Sequence, residues 1–135
     1  MTQFLYLYLI SVPIFFIVDM IWLGWLGRGV YQHYVGHMLG TVQWGAAIGF
    51  YLVYLVGLTY FASYPSYLQG NIFLAAGLGA LFGFFTYATY DMTNLATLDG
   101  WPWQIVVIDI IWGTVLGASV TAGTVALASW LIGSA

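Results

Sequence analysis

The stretch "FLYLYLISVPIFFIVDMIWLGWL", residues 4–26, decides the fold, because it runs for about 23 residues with a single ionisable acid and a bilayer-crossing helix needs roughly 20. Three further stretches are similarly apolar, at about residues 44–62, 72–96 and 105–132. They lack the apolar–polar alternation of barrel strands. The sequence therefore predicts an all-α polytopic membrane protein, a bundle of four transmembrane helices that forms a single transmembrane domain over residues 1–135.

The composition excludes several classes of protein. Hydrophobic residues make up 63% of the chain and charged residues 4%, which is too little polarity for the surface of a soluble domain. A net charge of −3 with one basic residue excludes a nucleic-acid partner. The chain has no cysteine and no lysine, so thiolate metal sites and Schiff-base cofactors are excluded. We therefore predict no cofactor, and the one certain partner is the lipid bilayer.

Acidic residues recur inside the apolar stretches. "VDMIWLG" (18–24) and "IDIIWGT" (108–114) both contain the pattern D-x-I-W, and a third acid, Asp91, lies near the end of the third stretch. Because the first and third spans end on the side where the fourth begins, the three carboxyls should share one leaflet, roughly 6 to 10 Å from the span ends. An Asp at mid-helix costs roughly 2.5 to 3.5 kcal/mol on insertion scales. Each acid should therefore have a partner or a task.

Small residues at four-residue spacing predict which helix faces meet. Such stripes occur in the second, third and fourth spans, and helices in lipid approach closely through small residues. On the fourth span the stripe continues the face of Asp109, and on the third it continues the face of Tyr87 and Asp91. These side chains should therefore point into the bundle. The stripes are Gly45 and Gly49, Gly79 and Gly83, and Gly113 and Gly117.

The acids and their polar neighbours predict a pocket that opens at one face of the membrane. Its candidate ligand-binding residues are Asp19, Trp22, Tyr87, Tyr90, Asp91, Asn94, Asp109 and Trp112, and its candidate mouth is Arg28, His33 and His37. The alternative interpretation is structural, with the acids as hydrogen-bonding partners that hold helices together. The two histidines are spaced i, i+4, but no metal-binding signature accompanies them, so no metal site is predicted.

The orientation follows from one residue. Arg28 lies in the loop 27–43, and the positive-inside rule places such a loop in the cytoplasm.

Four segments carry a resemblance to a known family. "FFIVDMIWLG" (15–24), "YQHYVGHMLG" (31–40), "TYATYDMTNLATLDGWP" (86–102) and "VIDIIWGTVLG" (107–117) resemble a family of small bacterial inner-membrane proteins, domain of unknown function 2177. The resemblance covers nearly the whole chain. It implies a multi-pass, four-helix protein of the bacterial inner membrane, encoded near lipid-modifying enzymes such as cyclopropane-type fatty-acid synthases. It supplies no catalytic residues, and the first loop of this chain has fewer basic residues than the resemblance implies.

Three functional hypotheses follow. The first is binding or transport of a small cation, a proton or a polar lipid, which predicts a homo-oligomer because four spans are few for alternating access. The second is a membrane-embedded enzyme or accessory protein in lipid or fatty-acid modification, with the acids in acid–base chemistry or holding a divalent ion. The third is a structural partner subunit of a membrane complex. The first is favoured because no residue set has a recognisable catalytic geometry, although an enzyme stays open.

Overall fold

The computed structural model describes residues 1–134 as a bundle of helices, without a strand in that part of the chain. Four helical stretches are long and apolar enough to cross a membrane. These observations confirm the predicted all-α polytopic bundle. The helices are α1 (Thr2–Ile21), α2 (Arg28–Val35), α3 (Trp44–Leu58), α4 (Tyr64–Gln69), α5 (Ile72–Thr97) and α6 (Trp103–Ile132); π-helical turns at Trp22–Leu26 and Thr59–Ser63 extend α1 and join α3 to α4.

The second span is longer than the sequence suggested. The span was predicted to end at about residue 62, and the helical stretch that contains it runs from Trp44 to Gln69. Pro65, which indicated a boundary, lies in the first turn of α4, where a missing N–H is tolerated. The π-helical turn before it shifts the hydrogen bonds by one residue, so that the Tyr64 N–H bonds to the Thr59 carbonyl. The helix therefore passes the proline without ending.

Helices α5 and α6 pack along their glycine stripes. A Cβ placed on Gly83 would overlap the Gly113 carbonyl, and one placed on Gly117 would overlap the Gly79 carbonyl. The two backbones are therefore in direct contact, as expected for small residues between membrane helices. The stripe on α3 behaves differently, because a Cβ on Gly45 or Gly49 would meet nothing within 4 Å in the described chain. The prediction that the stripe on α3 brings helices together is therefore wrong for contacts within one copy of the chain.

A buried apolar cluster fixes α1 and the second span against this pair. Phe15 of α1 packs with Leu55 and Leu58 of α3, and with Leu116 and Val120 of α6. All five side chains are almost fully buried. The fully buried residues of α3 begin at position 54, and the half-buried Tyr51 is its earliest side chain packed against the cluster. The first half of α3 stands away from the bundle.

The loop after the first span contains a short amphipathic helix. In α2, Val35 is buried and Tyr31 half-buried, whereas Arg28 and His33 are exposed. Residues four apart share a helix face, so Tyr31 and Val35 turn together towards the bundle. Helix α2 thereby covers the end of the bundle where α6 begins.

Candidate functional site

The two copies of D-x-I-W form one crossed arrangement at the end of the bundle. The indole rings of Trp22 and Trp112 stack, with ring centroids 4.8 Å apart and planes 14° from parallel. Trp22 Nε1 donates to the Tyr31 hydroxyl over 2.9 Å, and that hydroxyl donates to Asp109 Oδ1. Trp112 Nε1 lies beside the Asp19 carboxyl. Trp112 therefore lies beside the acid of α1, and Trp22 is linked through Tyr31 to the acid of α6.

The antiparallel course of α1 and α6 explains the crossing. In both copies the tryptophan follows its acid by three residues, but the helices run in opposite directions across the membrane. When the rings meet at one level, Asp109 lies above the stack, towards α2, and Asp19 lies below it. At 1.5 Å per residue, the two acids are about 9 Å apart along the bundle axis. The acids are therefore on two levels.

Asp91 and Asp109 form a carboxyl pair on the upper level. Their side chains lie next to each other, and the residues are 0% and 6% exposed. Tyr31 donates to Asp109, but neither carboxyl oxygen of Asp91 has a hydrogen-bond partner within residues 1–134. The indole N–H of Trp101 lies near Asp91 without closing a hydrogen bond. Two buried acids thus face one another with few donors around them.

Asp19 occupies the lower level and is 2% exposed. The Tyr51 hydroxyl of α3 and the Trp112 indole lie near its carboxyl. Tyr87 reaches this level from α5 by crossing Gly113, since a Cβ on that glycine would overlap the tyrosine ring. The lower level is therefore a carboxyl surrounded by weak donors.

The remaining predicted residues lie at the rim. Tyr90 is 56% exposed and meets Trp101 edge to face, with centroids 6.1 Å apart. Asn94 lies one turn further along α5, close to the Tyr90 hydroxyl. The three candidate mouth residues, Arg28, His33 and His37, are all exposed. In the described chain no group of three or more His, Cys, Asp or Glu residues is placed to hold a metal ion.

Sequence reasoning missed three residues that touch the acids, namely Tyr31, Tyr51 and Trp101. Tyr31 had a usable signal, because its i, i+4 relation to Val35 marks the inner face of α2. Tyr51 and Trp101 had no such signal in the sequence. Tyr51 is one of many aromatics on an apolar span, and Trp101 lies in a loop where interfacial tryptophans are common.

Tyr31 lies outside the spanning segments, and its ionisation gives a testable pH dependence. Burial raises the pKa of the Tyr31 hydroxyl above its ordinary value of 10.0, and the Asp109 carboxylate raises it further. In the unfolded chain this tyrosine loses its proton near pH 10. Above that pH the unfolded state binds fewer protons than the folded state, so stability falls as pH rises.

Tyr31→Phe should therefore flatten the alkaline loss of stability. We expect the variant to lose less free energy of unfolding between pH 9 and pH 11 than the wild type, by at most about 1.4 kcal/mol per pH unit. Unfolding in mixed micelles, followed by circular dichroism at several pH values, measures the slope. An unchanged slope in Tyr31→Phe would contradict the assigned environment.

Comparison with known proteins gives one match. A search of curated proteins and a search of solved structures both found nothing similar. The model of one family, described as "Predicted membrane protein (DUF2177)", matches residues 4–126, which includes every residue of the site. The chain belongs to this family of membrane proteins of unknown function.

Proposed function

We propose that the protein binds a proton at the Asp91–Asp109 pair, as part of a binding or transport role within the membrane. One observation carries the proposal: within residues 1–134, Asp91 is fully buried, has no hydrogen-bond donor and faces a second buried acid. Two adjacent carboxylates in a low-dielectric site repel each other strongly, and one shared proton removes that repulsion. Ionisable residues inside membrane spans commonly serve proton relays.

The neighbouring groups favour a proton over a metal cation. The chain has one permanently cationic residue, Arg28, and it is exposed on α2. The polar groups that approach the pair are the Tyr31 hydroxyl, which donates to Asp109, and the Trp101 indole N–H, which lies near Asp91. Such donors compensate one negative charge but repel a metal ion, which needs several oxygen ligands. A proton requires only the two carboxyls.

Helix α2 offers the pair a link to the membrane surface. Tyr31 contacts both Trp22 and Asp109, and its own helix carries exposed polar residues on the opposite face. A hydroxyl can accept a proton and donate another, which suits it to a relay. We propose that Tyr31 connects the buried pair to the aqueous side.

Infrared spectroscopy tests the proton directly. The chain contains four acids, all aspartates, so an acid carbonyl band in an ester-free detergent has few sources. We expect Asp91→Asn to remove one protonated-carboxyl component at neutral pH and to leave the carboxylate absorption unchanged, because the pair contains one carboxylate before the change and Asp109 is one carboxylate after it. Asp99→Asn, which changes an exposed acid, should leave the band unchanged. If the spectrum of Asp91→Asn retained the full band, the shared proton would be refuted.

We further propose the bacterial inner membrane as the location, with loop 27–43 on the cytoplasmic side and with a homo-oligomer as the working unit. The resemblance to bacterial proteins supports the location, and Arg28 supports the orientation. The open face around Gly45 and Gly49 of α3 supports self-association, because small residues suit contacts between membrane helices. Cross-linking of single-cysteine variants at these two positions tests the oligomer.

The hypothesis of a partner subunit loses part of its basis. A partner subunit could dock on the glycine stripes. The stripes of α5 and α6, however, pack against each other within the chain. The stripe of α3 alone stays open for a partner.

A further inference from the structure

A lateral cleft opens between the first half of α3 and the second half of α5. Its volume is about 670 Å³, within the usual range for small-molecule sites. The cleft exists because Tyr51 is the earliest side chain of α3 that packs against the buried cluster, so the turns before it diverge from α5. The walls include Ala47, Phe50 and Tyr51 from α3, and Phe82, Thr86 and Tyr90 from α5.

The cleft is more apolar than its residue types suggest. Thr86 Oγ1 donates to the Phe82 carbonyl over 2.9 Å, and Thr89 Oγ1 donates to the Phe85 carbonyl over 2.6 Å. Both hydroxyls are therefore occupied by their own helix and offer no donor to a ligand. The cleft lies within the spanning segments, so its surroundings are hydrocarbon chains rather than water.

The inner end of the cleft has a specific polarity. Tyr51 lines the cleft, and its hydroxyl lies near the buried Asp19 carboxyl. The nearest charged chemistry is therefore acidic, and the only permanent cation of the chain, Arg28, is exposed on α2. A phosphate or carboxylate would lie near a like-charged group there without a cation to compensate it, whereas a hydroxyl or an amine could donate to the Tyr51 hydroxyl, which lies between the cleft and Asp19.

We propose that this cleft binds a single-chain amphipathic membrane lipid with a hydrogen-bond-donating end, a long-chain alcohol or amine. The hydrocarbon chain lies against Phe50 and Phe82, and the polar end reaches the Tyr51 hydroxyl, behind which Asp19 is buried. Anionic lipids are disfavoured at this site. The site uses the lower level of acids, so it does not depend on a proton at Asp91 and Asp109.

Photolabelling tests the occupant. The protein is reconstituted in phosphatidylcholine vesicles and labelled with hexadecanol that carries a diazirine in its chain, or with hexadecyl sulfate that carries the same group. We expect the alcohol to label peptides of the cleft about ten-fold more than the sulfate does, a difference of about 1.4 kcal/mol. Asp19→Asn should reduce this preference, and Asp91→Asn should leave it unchanged.

Filling the cleft provides the matched comparison. Ala47→Trp should abolish labelling of the cleft, and Val53→Trp, on the lipid-facing side of the same helix, should not. Thr86→Trp fills the cleft from the other wall and replaces Ala47→Trp if that variant does not fold. Equal labelling in the filled and control variants, or equal labelling by the sulfate and the alcohol, would overturn the proposal. Retention of the full infrared band in Asp91→Asn would refute the proton site alone and would leave the cleft proposal standing.

Discussion

Gly83→Ala is expected to lower the free energy of unfolding by about 3 kcal/mol, the upper end of the usual cost of overpacking. The added methyl group would overlap the Gly113 carbonyl on the facing helix. Backbone atoms cannot rotate away as a flexible side chain can, so α5 and α6 must separate and lose their shared contacts. Unfolding by sodium dodecyl sulfate in mixed micelles, followed by circular dichroism, measures the change.

Gly77→Ala is the control for this prediction. Gly77 lies on the same helix, but an added Cβ would meet nothing within 4 Å among the described residues. The same chemical change should therefore alter the free energy of unfolding by no more than about 0.5 kcal/mol, as for other surface substitutions. Equal stability of the two variants would mean that the α5–α6 interface is not as close as described.

Trp112→Ala is expected to cost about 3 kcal/mol, because a large aromatic side chain leaves a cavity between α1 and α6. The substitution removes the stacking partner of Trp22 and the indole N–H beside Asp19. It should therefore affect both levels of acids, including the contact of Tyr31 with Asp109. Faster amide hydrogen exchange across α2, residues 28–35, should accompany the loss of stability.

Trp130→Ala separates this effect from the general loss of a tryptophan. Trp130 is on the same helix and is 80% exposed, so its removal should change stability by no more than about 0.5 kcal/mol. Trp22→Ala combined with Trp112→Ala should cost less than the sum of the single changes, because the two rings share one contact. Additive effects would contradict the stacked pair.

Much of the fold could be predicted from the sequence, because length and hydropathy are sufficient to identify spanning helices. The α5–α6 interface also followed from glycine spacing, since only small residues permit such an approach. The end of the second span did not follow, because a proline in a first turn and a proline at a boundary look alike in the sequence. The stripe at Gly45 was a misleading signal, because spacing does not reveal whether a partner helix is present.

The burial of the acids could be predicted more fully than the contacts between them. The helix faces of Asp91 and Asp109 pointed inward, and the structure places both in the interior. The crossing of Trp22 and Trp112 required the antiparallel contact of α1 with α6, which no local pattern specifies. The role of Tyr31 depends on how α2 folds back over the bundle. Sequence periodicity identifies the inner face of α2 but not the residue that this face contacts.

The central claim is that Asp91 and Asp109 are a carboxyl pair, and solid-state NMR in bilayers tests it most directly. With aspartate labelled at ¹³Cγ, the chain gives four carboxyl signals. We predict a through-space correlation between the signals that Asp91→Asn and Asp109→Asn remove, and no correlation of either with the exposed Asp99. If the Asp91 and Asp109 signals were not correlated, the two acids would not share a site and the proposed proton would have no place to bind.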